Sequence, residues 1–262
     1  MKIIKRQYDS VADFQADTVT DTKGRTISNF DSDFAGASLR DITGPLRAGW
    51  ADGVERARAL CGGVELAPAR AGRMVRRWAD DSNDGLDWDL ERAMYELPPV
   101  LVRRPDLSDG RARGVRSFIV NIGESFSVGS NCMLYKALAL AAVVDLFESQ
   151  RARCEVWGVF GADCGGELQA AAYRIKAAAD PINLGALCSA VAPWALRFWF
   201  FAWQDKHGVY VPPGRGKALK MEQIQRLFDF PGSVGGVIDR GDCLGLESAR
   251  AWVKAAAASV GV

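Results

Sequence analysis

The stretch from residue 115 to residue 160 does most to set the fold class. Val115-Arg116-Ser117-Phe118-Ile119-Val120-Asn121-Ile122 has the β-branched and aromatic density of a strand buried on both faces. Gly123 to Gly129 reads as a turn segment. Cys132 to Gln150 reads as an apolar helix, with Leu134, Leu138, Ala141, Val144 and Asp145 spaced by three and four. A second strand follows at Cys154-Glu155-Val156-Trp157-Gly158-Val159-Phe160. Strand, crossover helix and strand within about 45 residues make a βαβ unit, which implies a parallel sheet.

Further along, Gln169 to Ala177 reads as a third strand, although its alanines would equally suit a helix. The run Leu196-Arg197-Phe198-Trp199-Phe200-Phe201-Ala202-Trp203 fits a helix begun at Pro193 or a strand buried on both faces, because periodicity cannot separate the two when every face is apolar. The remaining pattern predicts a short strand at 208–211, a helix at 217–228, a strand at 234–238 and a closing helix at 246–258. The expected architecture is an α/β fold with an open, mainly parallel sheet and flanking helices over 113–262, preceded by a mainly helical region over 1–112. In that first region Trp50, Val54 and Ala57 share a helical stripe that stops at Cys61-Gly62-Gly63. Pro68 to Ala79 and Leu90 to Leu97 read as further helices, the first tolerating a proline in its opening turn and the second ending at Pro98-Pro99.

Composition narrows the chemistry. The 262 residues carry 33 basic and 32 acidic side chains, so no global field draws in nucleic acid or an anionic membrane, and any polyanion contact must be local. His207 is the single histidine, which removes two-histidine zinc sites and leaves one imidazole for any Ser-His or Cys-His mechanism. No Gly-x-Ser-x-Gly elbow accompanies it, so His207 reads as a surface or packing residue. Six cysteines without a Cys-x-x-Cys pair read as reduced, mostly buried thiols. The start Met1-Lys2-Ile3-Ile4-Lys5-Arg6 has no apolar stretch behind it, and the run at 196–203 is far shorter than the roughly 20 residues that span a bilayer. The expectation is a cytoplasmic protein that makes no membrane contact.

Open α/β sheets bind ligands beyond the carboxyl ends of their strands. That rule selects Asn121, Gly123, Glu124, Ser125 and Ser127 after the first strand of the unit, Asp163 after the second, Asp180 and Asn183 after the third, and Asp239 and Asp242 after the strand at 234–238. Two basic candidates lie elsewhere. Pro212-Pro213-Gly214-Arg215-Gly216-Lys217-Ala218-Leu219-Lys220 sets glycines and the cations Arg215, Lys217 and Lys220 before a predicted helix, as a phosphate cradle would. It is not a P-loop, because Val211 and Ala218 stand where Gly and Ser or Thr belong. Arg70, Arg73 and Arg77 share a helical face next to Trp78 and would grip phosphates, unless Asp80, Asp81 and Asp84 neutralise them.

The segment Ile119-Val120-Asn121-Ile122-Gly123-Glu124-Ser125, with its following helix and strand, resembles the start of a von Willebrand factor A domain. In that family the first strand ends in Asp-x-Ser-x-Ser, whose oxygens hold a divalent cation together with a further acidic side chain. The resemblance implies a scaffold over roughly 114–260 and a Mg²⁺ site using Ser125 and Asp180. Asn121 and Gly123 depart from the motif and remove its anchoring charge and one hydroxyl, so the expected site is degenerate, with no cofactor or weakly bound Mg²⁺. The amino-terminal region, with Gly49-Trp50-x-x-Gly53 and Gly85-Leu86-Asp87-Trp88-Asp89, looks similar to uncharacterised proteins of phages and proteobacterial mobile elements.

Together these features imply a non-catalytic protein-binding or assembly module, with a protein partner such as an AAA-type ATPase or a virion component. The alternatives are a metal-dependent nucleic-acid-binding or phosphate-processing factor using the strand-end acids with Arg215 and Lys217, and a virion structural subunit.

Overall fold

A strand that is apolar on both faces needs neighbours on both sides and helices above it, and the structure supplies them. The computed structural model describes residues 2–19, 54–56, 58–59, 87–88, 101–102, 115–124, 128–149, 152–208, 210–212, 214–230 and 233–258. In chain order the elements are β1 (Lys2–Tyr8), α1 (Val11–Val19), β2 (Asp87–Trp88), β3 (Leu101–Val102), β4 (Arg116–Asn121), α2 (Ser130–Ser149), β5 (Cys154–Asp163), β6 (Glu167–Lys176) and α3 (Leu184–Val191). A π-helical segment, Ala195–Phe200, then runs into α4 (Phe201–His207), followed by β7 (Lys217–Ala218), α5 (Met221–Gln225), β8 (Ser233–Ile238) and α6 (Leu246–Ala258).

The chain divides into two units, Met1–Leu66 with Gly114–Val262, and Ala67–Arg113. In the second, β2 and β3 pair antiparallel, Asp87 opposite Val102 and Trp88 opposite Leu101. Residues 54–56 and 58–59 are helical, as the stripe around Val54 predicts. The helices predicted at 68–79 and 90–97 lie outside the described residues.

The first unit is built on one sheet in the order β1-β6-β5-β4-β8. β4 pairs parallel with both β5 and β8, as the βαβ reading requires. The sheet is nonetheless mixed. β6 is the predicted third strand, but it runs antiparallel to β5 and brings β1 with it, because β1 is parallel to β6. The reversal is made by Cys164-Gly165-Gly166, where Gly165 and Gly166 hold φ of 72° and 101°, a region that side chains with a Cβ rarely enter. β1 occupies an edge of the sheet where the sequence pattern predicts a helical region. β7 pairs with Ala162 and Asp163 of β5, past the last β4 pair at Asn121 and Val159. That strand and the short α5 replace the predicted strand at 208–211 and most of the predicted helix at 217–228.

The two sheet faces are covered unequally. On one face α2 buries Leu138, Ala141 and Val144 against Phe118, Val120 and Val156, and α6 adds Ala249, Val253 and Ala256 at spacings of four and three. Beside them lies an aromatic cluster in which Phe14 of α1 stacks on Tyr173 at 4.6 Å and meets Trp199 edge-on. The described residues of the run 196–203 are buried, which is why its sequence shows no polar face to read a period from. The other face is covered by Leu219, Met221, Ile224 and Phe228 against Ile119, Trp157 and Val159.

Phe14 is fully buried and joins the amino-terminal strand–helix pair to the aromatic cluster. Replacing it with alanine is expected to cost about 3–5 kcal/mol of unfolding free energy, the usual loss for a buried phenylalanine. A urea denaturation curve measures this, and a loss below about 1 kcal/mol would mean that the amino-terminal pair is not part of the cooperative unit.

Candidate functional site

β4 ends at Asn121, which is fully buried. Its amide nitrogen donates to Leu219 O at 3.0 Å and to Asp239 Oδ1 at 2.9 Å, and its Oδ1 accepts from Gly123 N at 3.0 Å. A Cβ at position 123 would stand 3.2 Å from that oxygen, so glycine lets the turn close on the asparagine. Asp239, just past β8, places the same Oδ1 under two further donors, Met221 N at 2.9 Å and Arg240 N at 2.7 Å. Its own N–H donates to Asp242 Oδ2 at 2.8 Å, and Arg240 Nη1 donates to Ala218 O at 2.6 Å. The ends of β4 and β8 and the start of α5 are thus tied through one carboxylate.

Lys136 reaches the same point from the second turn of α2 and is 1% exposed. Its Nζ donates to Asn121 O at 3.0 Å and forms an ion pair with Glu124, whose side chain is 3% exposed. Glu124 also accepts from Gly241 N at 3.0 Å. Burial pushes the Lys136 pKa down, while the negative charge of Glu124, and then of Asp239, acts in the opposite sense. The strand-end rule does not point to Lys136, which lies inside an apolar helical run and not in a strand-end loop. The signal was present, since it is the only basic residue between 130 and 149.

The structure therefore brings Asn121, Gly123, Glu124 and Asp239 together. Asp163 instead ends β5, where its Oδ1 accepts from Gly166 N at 3.2 Å. Asp180 does not converge with the others. Its expected place rests on a parallel third strand, whereas antiparallel β6 carries the chain back toward the start of β5, with Lys176 opposite Val156. There Asp180 Oδ2 accepts from Ala177 N at 3.1 Å. Ser125, Arg70, Arg73 and Arg77 lie outside the described residues.

Arg215 of the predicted phosphate loop is turned inward. Its guanidinium pairs with Asp205, donates to Phe201 O at 3.3 Å and lies 4.9 Å from the centre of the Phe201 ring. Lys217 and Lys220 remain exposed, Lys217 opposite Asp163 in the β5–β7 ladder. No helix begins on the glycines. α5 starts only at Met221, so the loop lacks the helix amino terminus that the phosphate reading requires.

Among the described residues no three His, Cys, Asp or Glu side chains converge in a way that could hold a metal ion. Cys243, beside the strand ends, is pushed up to about 12 by burial, reinforced by Asp242, and stays a thiol at neutral pH. Cys132, Cys154, Cys164, Cys188 and Cys243 are all free. Among the described residues, the strand end offers a fixed pattern of internally used donors and acceptors.

His207 belongs to a separate cluster. Its Nε2 lies 2.8 Å from Asp17 Oδ2, which also accepts from Tyr8 Oη at 2.5 Å, while Lys206 Nζ is 3.0 Å from Asp17 Oδ1. Trp203 Nε1 donates to Tyr8 Oη at 2.8 Å. This network fastens β1 and α1 to α4, in agreement with a packing role for the histidine. Burial lowers the His207 pKa below 6.5 against the opposing charge of Asp17, with Arg6 adding to the lowering. For Asp17, burial raises the pKa, but hydrogen bonds from Tyr8 and Lys206 outweigh it and leave the carboxyl at about 2.

Two expectations follow. Truncating Glu124 to alanine strands the Lys136 ammonium and is expected to cost about 3–5 kcal/mol in urea denaturation, whereas a surface ion pair would cost less than about 1. The unfolded histidine binds a proton near pH 6.5 more readily than the folded one, so stability should fall as pH drops below that value. The Asp17 contribution should be lost further down, between 3.8 and about 2. Urea midpoints across pH check this, and His207→Asn should abolish the upper limb while a lower limb from Asp17 remains.

No curated protein and no solved structure matches the chain. A family model described as "Domain of unknown function (DUF7192)" matches residues 1–227, the part from β1 through α5 that supplies Asn121, Glu124 and Lys136. The chain belongs to the DUF7192 family.

Proposed function

We propose that the chain is a non-catalytic protein-binding or assembly module on a von Willebrand factor A-like scaffold with a degenerate metal site. The observation that carries this reading is the internal use of the strand-end groups. Asn121, Glu124, Lys136 and Asp239 satisfy one another and nearby backbone atoms. A hydrolytic site needs a positioned nucleophile or a cation with open coordination positions. Here the groups that would provide them are spent on structure.

A sheet edge supports the association side of the reading. β8 lies at the end of the described strand order, carries no charged residue in Ser-Val-Gly-Gly-Val-Ile, and leaves Val234 half exposed. The other edge strand, β1, carries Lys2, Lys5 and Arg6, which discourage pairing. The occupant that suits β8 is an extended segment of a protein partner added as a further strand. Trp252 Nε1 already takes Val237 O at 2.9 Å, so such a segment would use the Ser233–Gly236 half. An AAA-type ATPase or a virion component, in a phage or mobile-element setting and in the bacterial cytoplasm, is the partner class that the sequence resemblances suggest.

Incubation with labelled single- and double-stranded DNA and RNA and with a generic phosphate ester, with Mg²⁺ present and at two salt concentrations, should show neither turnover nor salt-dependent retention. Turnover that is lost in Asp239→Asn, or salt-dependent binding lost in Lys217→Ala with Lys220→Ala, would overturn the proposal in favour of a nucleic-acid or phosphate-processing factor. A partner identified by pull-down should be retained by the wild-type chain and released by Val234→Lys.

A further inference from the structure

We infer that the Lys136 ammonium is the resident cation of the strand-end site, standing where a divalent ion would otherwise be held. The inference rests on the closed, non-catalytic reading of that site and goes beyond it by saying what closes it.

With Lys136 in place, the described donors at the end of β4 leave no room for a metal ion. A hard divalent cation takes several oxygens, with carboxylates among them. Asn121 supplies no charge, and both polar atoms of its amide are committed, the nitrogen to Leu219 O and Asp239, the oxygen to Gly123 N. Gly123 supplies no side-chain oxygen. Among the described residues, the Asn121 carbonyl and the Glu124 carboxylate already face Lys136 Nζ, at 3.0 Å and as an ion pair. Asp239 adds its negative charge to the same environment. A metal ion and this ammonium would compete for one set of oxygens, and the ammonium is covalently attached at a position that is 1% exposed.

A lysine is an adequate substitute for one reason and an inadequate one for another. It brings positive charge and three donors, which satisfy the carbonyl and the carboxylate. Buried, with its donors turned to oxygens of the site itself, it offers no Lewis-acid position at which water could be activated as on a metal. The exchange keeps the strand ends together and removes metal dependence.

The test uses the full chain and follows thermal unfolding with MgCl₂, MnCl₂ or CaCl₂ added, comparing wild type, Lys136→Ala and Lys136→Gln. The wild type should show no saturable shift in Tm with any ion. The two variants should melt lower and recover part of the loss with at least one ion, following the saturable rise that mass action requires. Glu124→Gln placed in the same background should abolish the recovery. Lys136→Gln keeps the chain length and serves if Lys136→Ala does not fold. A saturable shift in the wild type, or folded variants that respond to none of the ions, would overturn the inference. Failure of both variants to fold even with an ion present counts against it as well, because the ion should restore the missing charge. Nuclease or phosphatase activity in the wild type would instead overturn the functional reading and leave the metal titration interpretable.

Discussion

An ammonium group taken out of water must find oxygen atoms to replace its hydration shell, or the fold loses several kcal/mol. Lys136 meets that demand at the point where β4, β8 and α2 come together, through the Asn121 carbonyl and the Glu124 carboxylate. The opposite end of the same helix solves the same problem with the polarity reversed. There Glu148 of α2 pairs with Lys176 of β6 at 2.6 Å, and the lysine also donates to Cys154 O at 3.0 Å. Both ends of α2 are thus fastened to the sheet by a buried or nearly buried lysine–glutamate pair. The apolar body of the helix supplies the contact area between them, and the two pairs fix its position along the strands.

The same arrangement shows what the strand ends gather in this chain, which is a set of groups bonded to one another. The ends of parallel strands gather loop residues from several elements, which is why ligands bind there. In this chain the gathered residues face inward. Asn121 bridges to Asp239, Asp239 holds the start of α5, and Glu124 spans from Lys136 to the backbone at Gly241. The uncharged edge at β8 is the described feature on which the proposed strand addition rests.

Much of this was legible in the sequence where one physical signal dominated. β4, α2 and β5 follow from strand-like runs separated by an apolar helix, and α6 from a clean amphipathic spacing that places its ends at Leu246 and Ala258. The direction of β6 is encoded in Gly165-Gly166, a hairpin signal that competes with the parallel order a βαβ unit implies. β1 was missed because Lys2, Lys5 and Arg6 break the alternation that marks a half-buried strand, as charges on an edge strand do. The misplacement of Asp180 followed from the misread direction of β6. Lys136 was missed for a different reason. A lone lysine in an apolar helix looks like an exposed interruption until the tertiary structure shows which oxygens surround it.

The central claim, that Lys136 and Glu124 act as one internally neutralised unit, is tested most directly by a double-mutant cycle in urea, using Lys136→Met, Glu124→Gln and the double variant. Each single change leaves a charged or polar partner buried without its counterpart, so the double variant should be no less stable than the worse single one, with a coupling of about 1–3 kcal/mol. Losses that simply add, to within about 0.5 kcal/mol, would show that the two groups stabilise the fold independently and would contradict the account.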